Sequence, residues 1–342
     1  MRRCKHICVS LLVVVAVGAV IICRSEAQSA DDTDTSTNRV DRDTPIHQGE
    51  RQNLQPSDVY VDTLLIRDEL ELIRLEMGKP KDTRREIGVA NAEPREVFFQ
   101  ALTLFHKANR LSFELTRERA ELPEKPVGAI RLVHVRNVLK AVLERLRRVK
   151  GVLGSFEQSQ ERDRDPAKMH SDVFRSIVQA NRQVNLLLNQ QYAPSDVFQQ
   201  VTLAVGYAAQ LRTQFPGTRM PEAPAFERRK RPANVYHRLI ECFARVRAIM
   251  QHSGLNALTL DLHPETVTPS DVYDIASLLV SELSFLHSHL NGVLAPPDAY
   301  YPGRKFPADV YQRAGLLEAL LIDLQALVEE SPSWLQVTDE RE

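Results

Sequence analysis

Few residues in this 342-residue chain are of a type and spacing to do chemistry. Asp261, His263 and Glu265 alternate along one polar stretch and carry metal-ligating groups, but a zinc site needs a further His or Cys at ligand spacing, and none is near. His287 and His289 lie two apart on a predicted helix, so they point to different faces and do not chelate together. There is no Cys-x-x-Cys-His, no Gly-x-x-x-x-Gly-Lys phosphate loop and no Gly-x-Ser-x-Gly nucleophile turn. Cys242 is flanked by Leu239, Ile240, Phe243 and Val246, and reads as a small buried hydrophobe rather than a nucleophile. Asn109-Arg110 and Asn181-Arg182 are polar pairs borne on helices. Asn109 and Asn185 fall at matching places beside an apolar row, where amides set helix register or line a polar pocket. The most distinctive loop runs from Pro221 to Pro232. It sets Phe226 beside the basic run Arg228, Arg229, Lys230 and Arg231, a composition suited to the anchor of an interface. No residue set predicts catalysis, and none predicts a cofactor or metal.

The elements that position these residues recur along the chain. A signature of the form Pro-x-acid-Val-aromatic opens apolar runs of about 20 residues. The copies are Pro56–Tyr60, Pro94–Phe98, Arg136-Asn137-Val138-Leu139, Ser171–Phe174, Pro194–Phe198, Pro232–Tyr236, Pro269–Tyr273 and Pro307–Tyr311. Counting from each Val, positions 0, 4, 7, 11 and 14 are apolar in the clearest copies, as in Val272, Ala276, Leu279, Leu283 and Leu286. That spacing is a heptad seam, and it predicts one amphipathic helix per copy. Position 14 is apolar in every copy, Val152 included when the third is counted from Val138. The Pro suits the first helical position, and the acid or amide before the Val favours the first turn. Gly78, Gly154, Gly217, Gly254 and Gly292 follow their helices, where left-handed caps belong. The Tyr or Phe after the Val lies beside the seam and reads as a ring packed on a linker or a neighbouring helix end.

Successive Val positions are separated by 38, 41, 35, 24, 38, 37 and 38 residues, leaving proline-bearing linkers between most helices. The short step from Val173 to Val197 predicts an antiparallel hairpin. Elsewhere an extended linker of 15 residues spans about 50 Å and could run back along a helix of about 30 Å. Bundles nonetheless usually pair neighbours antiparallel. The fold class expected is all-α: eight repeated amphipathic helices of about 20 residues, in a helical bundle or two abutting four-helix bundles.

The ends differ in kind. Arg2, Arg3 and Lys5 precede an uncharged apolar run from Ile7 to Cys23, and Ser25-Glu26-Ala27 follows. Residues 1–27 therefore read as a signal peptide, with a membrane anchor through residues 7–23 as the rival reading. Residues 28–55 are polar and read as a disordered stalk, 56–330 as the helical-repeat domain and 331–342 as a tail. Net charge is −1, and losing the leader removes Arg2, Arg3, Lys5, Arg24 and Glu26, making the balance more acidic. Neither form has the basic excess of a nucleic-acid binder. Cys4, Cys8 and Cys23 all lie in the leader, so the remaining Cys242 has no internal disulfide partner. The expected role is an exported, non-enzymatic scaffold or interaction module for an envelope protein partner. The alternatives are a periplasmic ligand-binding or sensory helical domain, and, less favoured, an enzyme with a loop-borne site.

Overall fold

Among the described residues eight helices carry the fold: α1 Pro56–Glu76, α2 Pro94–Thr116, α3 Leu132–Val152, α4 His170–Leu187, α5 Pro194–Arg212, α6 Pro232–His252, α7 Pro269–Ser288 and α8 Pro307–Glu330. Two three-residue strands, β1 Gly88–Ala90 and β2 Thr259–Asp261, pair antiparallel, and a short 3-10 turn spans Pro332–Trp334. The computed structural model describes residues 54–335 except 125, 127, 158, 161, 190, 191, 218, 262–265, 291 and 298–301. The leader 1–27, nearly all of the polar stretch 28–55 and residues 336–342 lie outside the described residues. The fold is all-α, and no described helix is long and apolar enough to cross a membrane.

Each helix starts in the same way, and the hydrogen bonds show why. The third residue of the helix accepts the backbone N–H of the N-cap residue. Asp58 takes it from Gln55 at 2.7 Å, Asn234 from Arg231 at 2.9 Å and Asp309 from Phe306 at 2.8 Å. In α7 the bond is reciprocated, with Thr268 Oγ1 accepting from the Asp271 N–H at 3.3 Å. Such caps typically stabilise a helix by about 1 kcal/mol. At the other end Gly154 and Gly254 adopt φ of 81° and 73°, and the following N–H groups of Ser155 and Leu255 return to Lys150 and Met250.

The third copy needs correction. Helix α3 opens at Leu132, and the capping side chain is His134, whose Nδ1 accepts the Arg131 N–H at 3.1 Å. Val135 therefore stands where Val59 stands in α1, and the frame anchored on Val138 is three residues late. Counted from Val135, the seam is Val135, Leu139, Val142, Leu146 and Val149, all fully buried, whereas Val152 is 58% exposed. The steps of 41 and 35 residues become 38 and 38. Val138 misleads because it too is buried, in a second apolar row one turn along.

Helix direction also departs from the antiparallel expectation. Pro194, Pro232, Pro269 and Pro307, with Val197, Val235, Val272 and Val310, line one small apolar dimple, so α5 to α8 all begin at the same end. The linkers return along the helices. Pro224, between α5 and α6, lies on Gly315 of α8, where an added Cβ would come within 2.6 Å of the proline ring. Parallel neighbours recur among α1 to α4. Asp62 and Glu69 of α1 meet Arg136 and Arg147 of α3 in the same order, and Thr63 donates to Ser176 of α4 at 2.8 Å.

Helices α1 and α2 each pack on α3 and α4, and helices α5 and α6 each pack on α7 and α8. Residues 188–193 therefore carry the chain from one set to the next. The expected α4–α5 hairpin does not form, because the seams of both helices are already filled by other neighbours. Across the join α2 packs on α7 in the opposite direction. Arg95 at the start of α2 approaches Glu282 late in α7, and Lys107 late in α2 holds Asp274 early in α7.

Candidate functional site

The α2–α7 join collects a cluster of buried ionisable groups among the described residues. At one end Arg95, 8% exposed, lies 2.5 Å from Glu93, 2.6 Å from Glu96 and 4.0 Å from Glu282. Its guanidinium also donates to the Asn256 carbonyl and rests 3.8 Å above the Phe285 ring. Three carboxyl groups thus share one guanidinium. Neither Glu282 oxygen has a hydrogen-bond partner, and the side chain is 1% exposed. Burial pushes the Glu96 carboxyl up to about 7, against the pull of Arg95. Burial, then the Glu96 charge, pushes Glu282 well above the ordinary carboxylate range. Such a site retains a proton near neutrality, since two uncompensated carboxylates out of water are costly.

At the other end the fully buried Lys107 ammonium donates to both Asp274 oxygens, at 2.6 and 2.9 Å. Burial pushes the Lys107 amine down and the Asp274 carboxyl up, and each charge pulls the other back. Asp271 is held by Arg84 at 2.8 Å, and Arg84 by Asp82 at the same distance. Tyr192 stacks on Tyr273 with ring centroids 4.0 Å apart. A small cleft of about 60 Å³ opens beside these groups, bordered by Gln100, Arg182, Tyr236, Asp271 and Asp274. Its carboxylates are already matched by Lys107 and Arg84, so the array braces the two helix sets.

Lys107 and Glu282 both fall ten residues after their Val, a place where the heptad seam predicts solvent. The signal that could have found Glu282 is a second apolar face, since Ile275 and Leu278 lie off the seam on its side of α7. The matching side of α2 carries Gln100 and Thr103, so nothing local marks Lys107.

The residues singled out from sequence are not brought together. Cys242 is fully buried, its thiol is pushed up by burial, and its sulfur faces the Ala314 carbonyl at 3.9 Å. Asn109 holds its own linker, exchanging two 2.9 Å hydrogen bonds with the Ala120 backbone. Asn181 is buried against the Gln100 carbonyl at 3.3 Å, and both amide atoms of Asn185 lack hydrogen bonds. His287 lies edge-on to Tyr207, and His289 reaches the Phe285 carbonyl on its own helix. Asp261 lies in β2, whereas His263 and Glu265 lie outside the described residues. Among the described residues no three His, Cys, Asp or Glu converge as metal ligands. Several rings after the Val meet incoming linkers: Lys168 approaches Tyr60, Lys305 approaches Phe198, and Lys230 sits 4.1 Å over Tyr311.

In the basic loop Phe226 is 49% exposed, and Arg228, Arg229 and Arg231 are exposed, with no ion pair to any of the described residues. Lys230 is tied to Glu227 at 2.6 Å, and Gln312 of α8 donates to the Pro224 carbonyl at 2.9 Å. The loop is thus fixed at both shoulders and open at its tip. No family model matches this chain, and neither does any curated protein or solved structure.

Proposed function

We propose that this chain is an exported, non-enzymatic helical-repeat protein that serves as a scaffold or interaction module for a protein partner of the cell envelope. In this reading the repeat unit builds two abutting groups of four helices, one on either side of residues 188–193. The leader supplies the address, with membrane attachment through residues 7–23 as the alternative.

The observation that supports a binding role most directly is the Phe226 loop. An exposed aromatic beside three unpaired arginines is held by Lys230 and Pro224 on rigid helices, and recognition residues concentrate on loops fixed in that way. The perturbed acids and amines, by contrast, are engaged between α2 and α7, where they join helices. A net charge of −1 does not favour a nucleic-acid partner.

The test is capture from envelope fractions. Replacing Arg228, Arg229 and Arg231 together with Gln is expected to leave helicity and melting temperature nearly unchanged and to reduce recovery of partners severalfold. Equal recovery by the triple variant would remove the loop from the reading. Turnover of a defined substrate by purified protein, abolished by a point substitution, would replace the scaffold with an enzyme. A ligand-binding or sensory role is the second reading, and it is favoured by an open groove beside α1 and α4.

A further inference from the structure

The basic loop does not stand alone. Helices α6 and α8 pack together, and Pro232 and Pro307 line the same dimple, so the N-cap residues Arg231 and Phe306 lie at one end. Pro224 rests on Gly315 and Lys230 sits over Tyr311, so the loop follows the first turns of α8 toward that end. The linker before α8 is fixed there as well. Ser195 of α5 donates to the Gly303 carbonyl at 2.9 Å and accepts the Lys305 N–H at 3.1 Å. Phe306 is 55% exposed, and the exposed Arg304 guanidinium lies 5.2 Å from the centre of its ring. An exposed ring beside arginine thus occurs twice at this end, once on each linker.

The charges here do not balance. Glu227 is tied to Lys230, while Asp196 and Asp309 cap α5 and α8 by accepting the Ala193 and Phe306 N–H groups at 2.8 Å. Among the described residues of the two linkers, Glu222 is left against Arg228, Arg229, Arg231 and Arg304, none of which has an ion pair to a described residue. The four parallel helix starts add the positive ends of their dipoles. The dimple between them has a volume of about 30 Å³, room for a water and not for a ligand. An occupant must therefore lie across the surface.

The geometry points to one interaction surface, made of Phe226, Arg228, Arg229 and Arg231 with Arg304 and Phe306, that takes an acidic protein segment bearing apolar residues. The segment's carboxylates pair with the arginines, and its apolar side chains cover the two rings. Guanidinium forks match carboxylates, and complementary charge speeds docking and rejects basic partners. This rests on the reading that the Phe226 loop binds a protein partner. It adds the start of α8 to that loop and fixes the partner's charge.

The test is fluorescence anisotropy of the purified full chain with a labelled peptide in which Glu residues flank two Leu. One control peptide has Lys for every Glu, and another has Ser for each Leu. The Glu–Leu peptide is expected to bind saturably, and less tightly as salt is added, since exposed charges are screened. The Lys peptide should not bind, and the Ser peptide should bind more weakly. Arg231→Gln and Arg304→Gln should each weaken binding by roughly two- to fivefold, the scale of an exposed ion pair. Phe306→Ser should weaken it by about fivefold or more, the scale of an aromatic anchor. All three side chains are exposed, so melting temperatures should stay near the parent's. A Lys peptide that binds as tightly as the Glu peptide, or no saturable binding, would overturn the acidic assignment. Affinity unchanged in both Arg304→Gln and Phe306→Ser would overturn the joint surface. Binding to phosphatidylglycerol vesicles that these variants lose, with none to the peptide, would replace the protein segment by lipid. The envelope capture decides the loop reading separately, and equal recovery there by the triple variant of Arg228, Arg229 and Arg231 would end both.

Discussion

Glu96 does two things at once. One carboxylate oxygen caps α2 by accepting the Glu93 N–H at 2.8 Å, and the other faces Arg95 at 2.6 Å. The cap was legible in the sequence as an acid before Val97. The burial was not, because it comes from α7 lying across α2. Its carboxyl, pushed up to about 7 by burial, binds a proton more tightly folded than unfolded. The stability this contributes is full below the ordinary carboxylate range near 4.5 and is lost as pH rises through about 7. Burial of Glu282 acts in the same direction. Melting temperature should therefore fall between pH 5 and 7.5, by the equivalent of roughly 2–3 kcal/mol. Glu96→Gln keeps an oxygen to cap the helix but cannot ionise, so it should flatten that slope. A slope as steep in the variant as in the parent would place the titrating group elsewhere.

Among the helices, α3 shows how far a repeated signature can be trusted. Arg136-Asn137-Val138-Leu139 imitates the motif, yet the capping bond belongs to His134 and the buried seam begins at Val135. Asn137 is exposed and makes no cap. His134→Ala should destabilise the protein by about 0.5–2 kcal/mol, the usual cost of losing a helix cap, whereas Asn137→Ala should change it by less than about 0.5 kcal/mol. Chemical denaturation of the two variants checks this, and a larger loss from Asn137→Ala would restore the Val138 frame. The other starts were readable because proline at the first helical position, in all but α4, and an acid or, in α6, an amide at the third are local signals, acting through backbone groups within one turn.

For the whole molecule the decisive feature is the α2–α7 crossing. Lys107 and Asp274 form a buried pair across it. Removing one partner leaves a charge without compensation, so Lys107→Met should cost about 3–5 kcal/mol. Lys107→Met combined with Asp274→Leu should recover much of that loss, because two apolar groups need no partner. Calorimetry of the two single variants and the double variant measures the coupling, and additive losses would show that the pair is not acting across the join.

The sequence by itself determined the helices and, α3 apart, their starts and the apolar row each one buries, because period, caps and glycine stops act within a few residues of one another. It also marked Cys242 as core, and Phe226 and Arg228 to Arg231 as a loop. Only the tertiary structure decided that α5 to α8 run parallel, that α4 and α5 part company, and that Lys107, Arg95, Glu96 and Glu282 are buried. Helix direction depends on the path of linkers long enough to permit either arrangement. The burial of those charges depends on which two helices meet far apart in the chain. Neither leaves a mark on local spacing, apart from Ile275 and Leu278, which give α7 a second covered face.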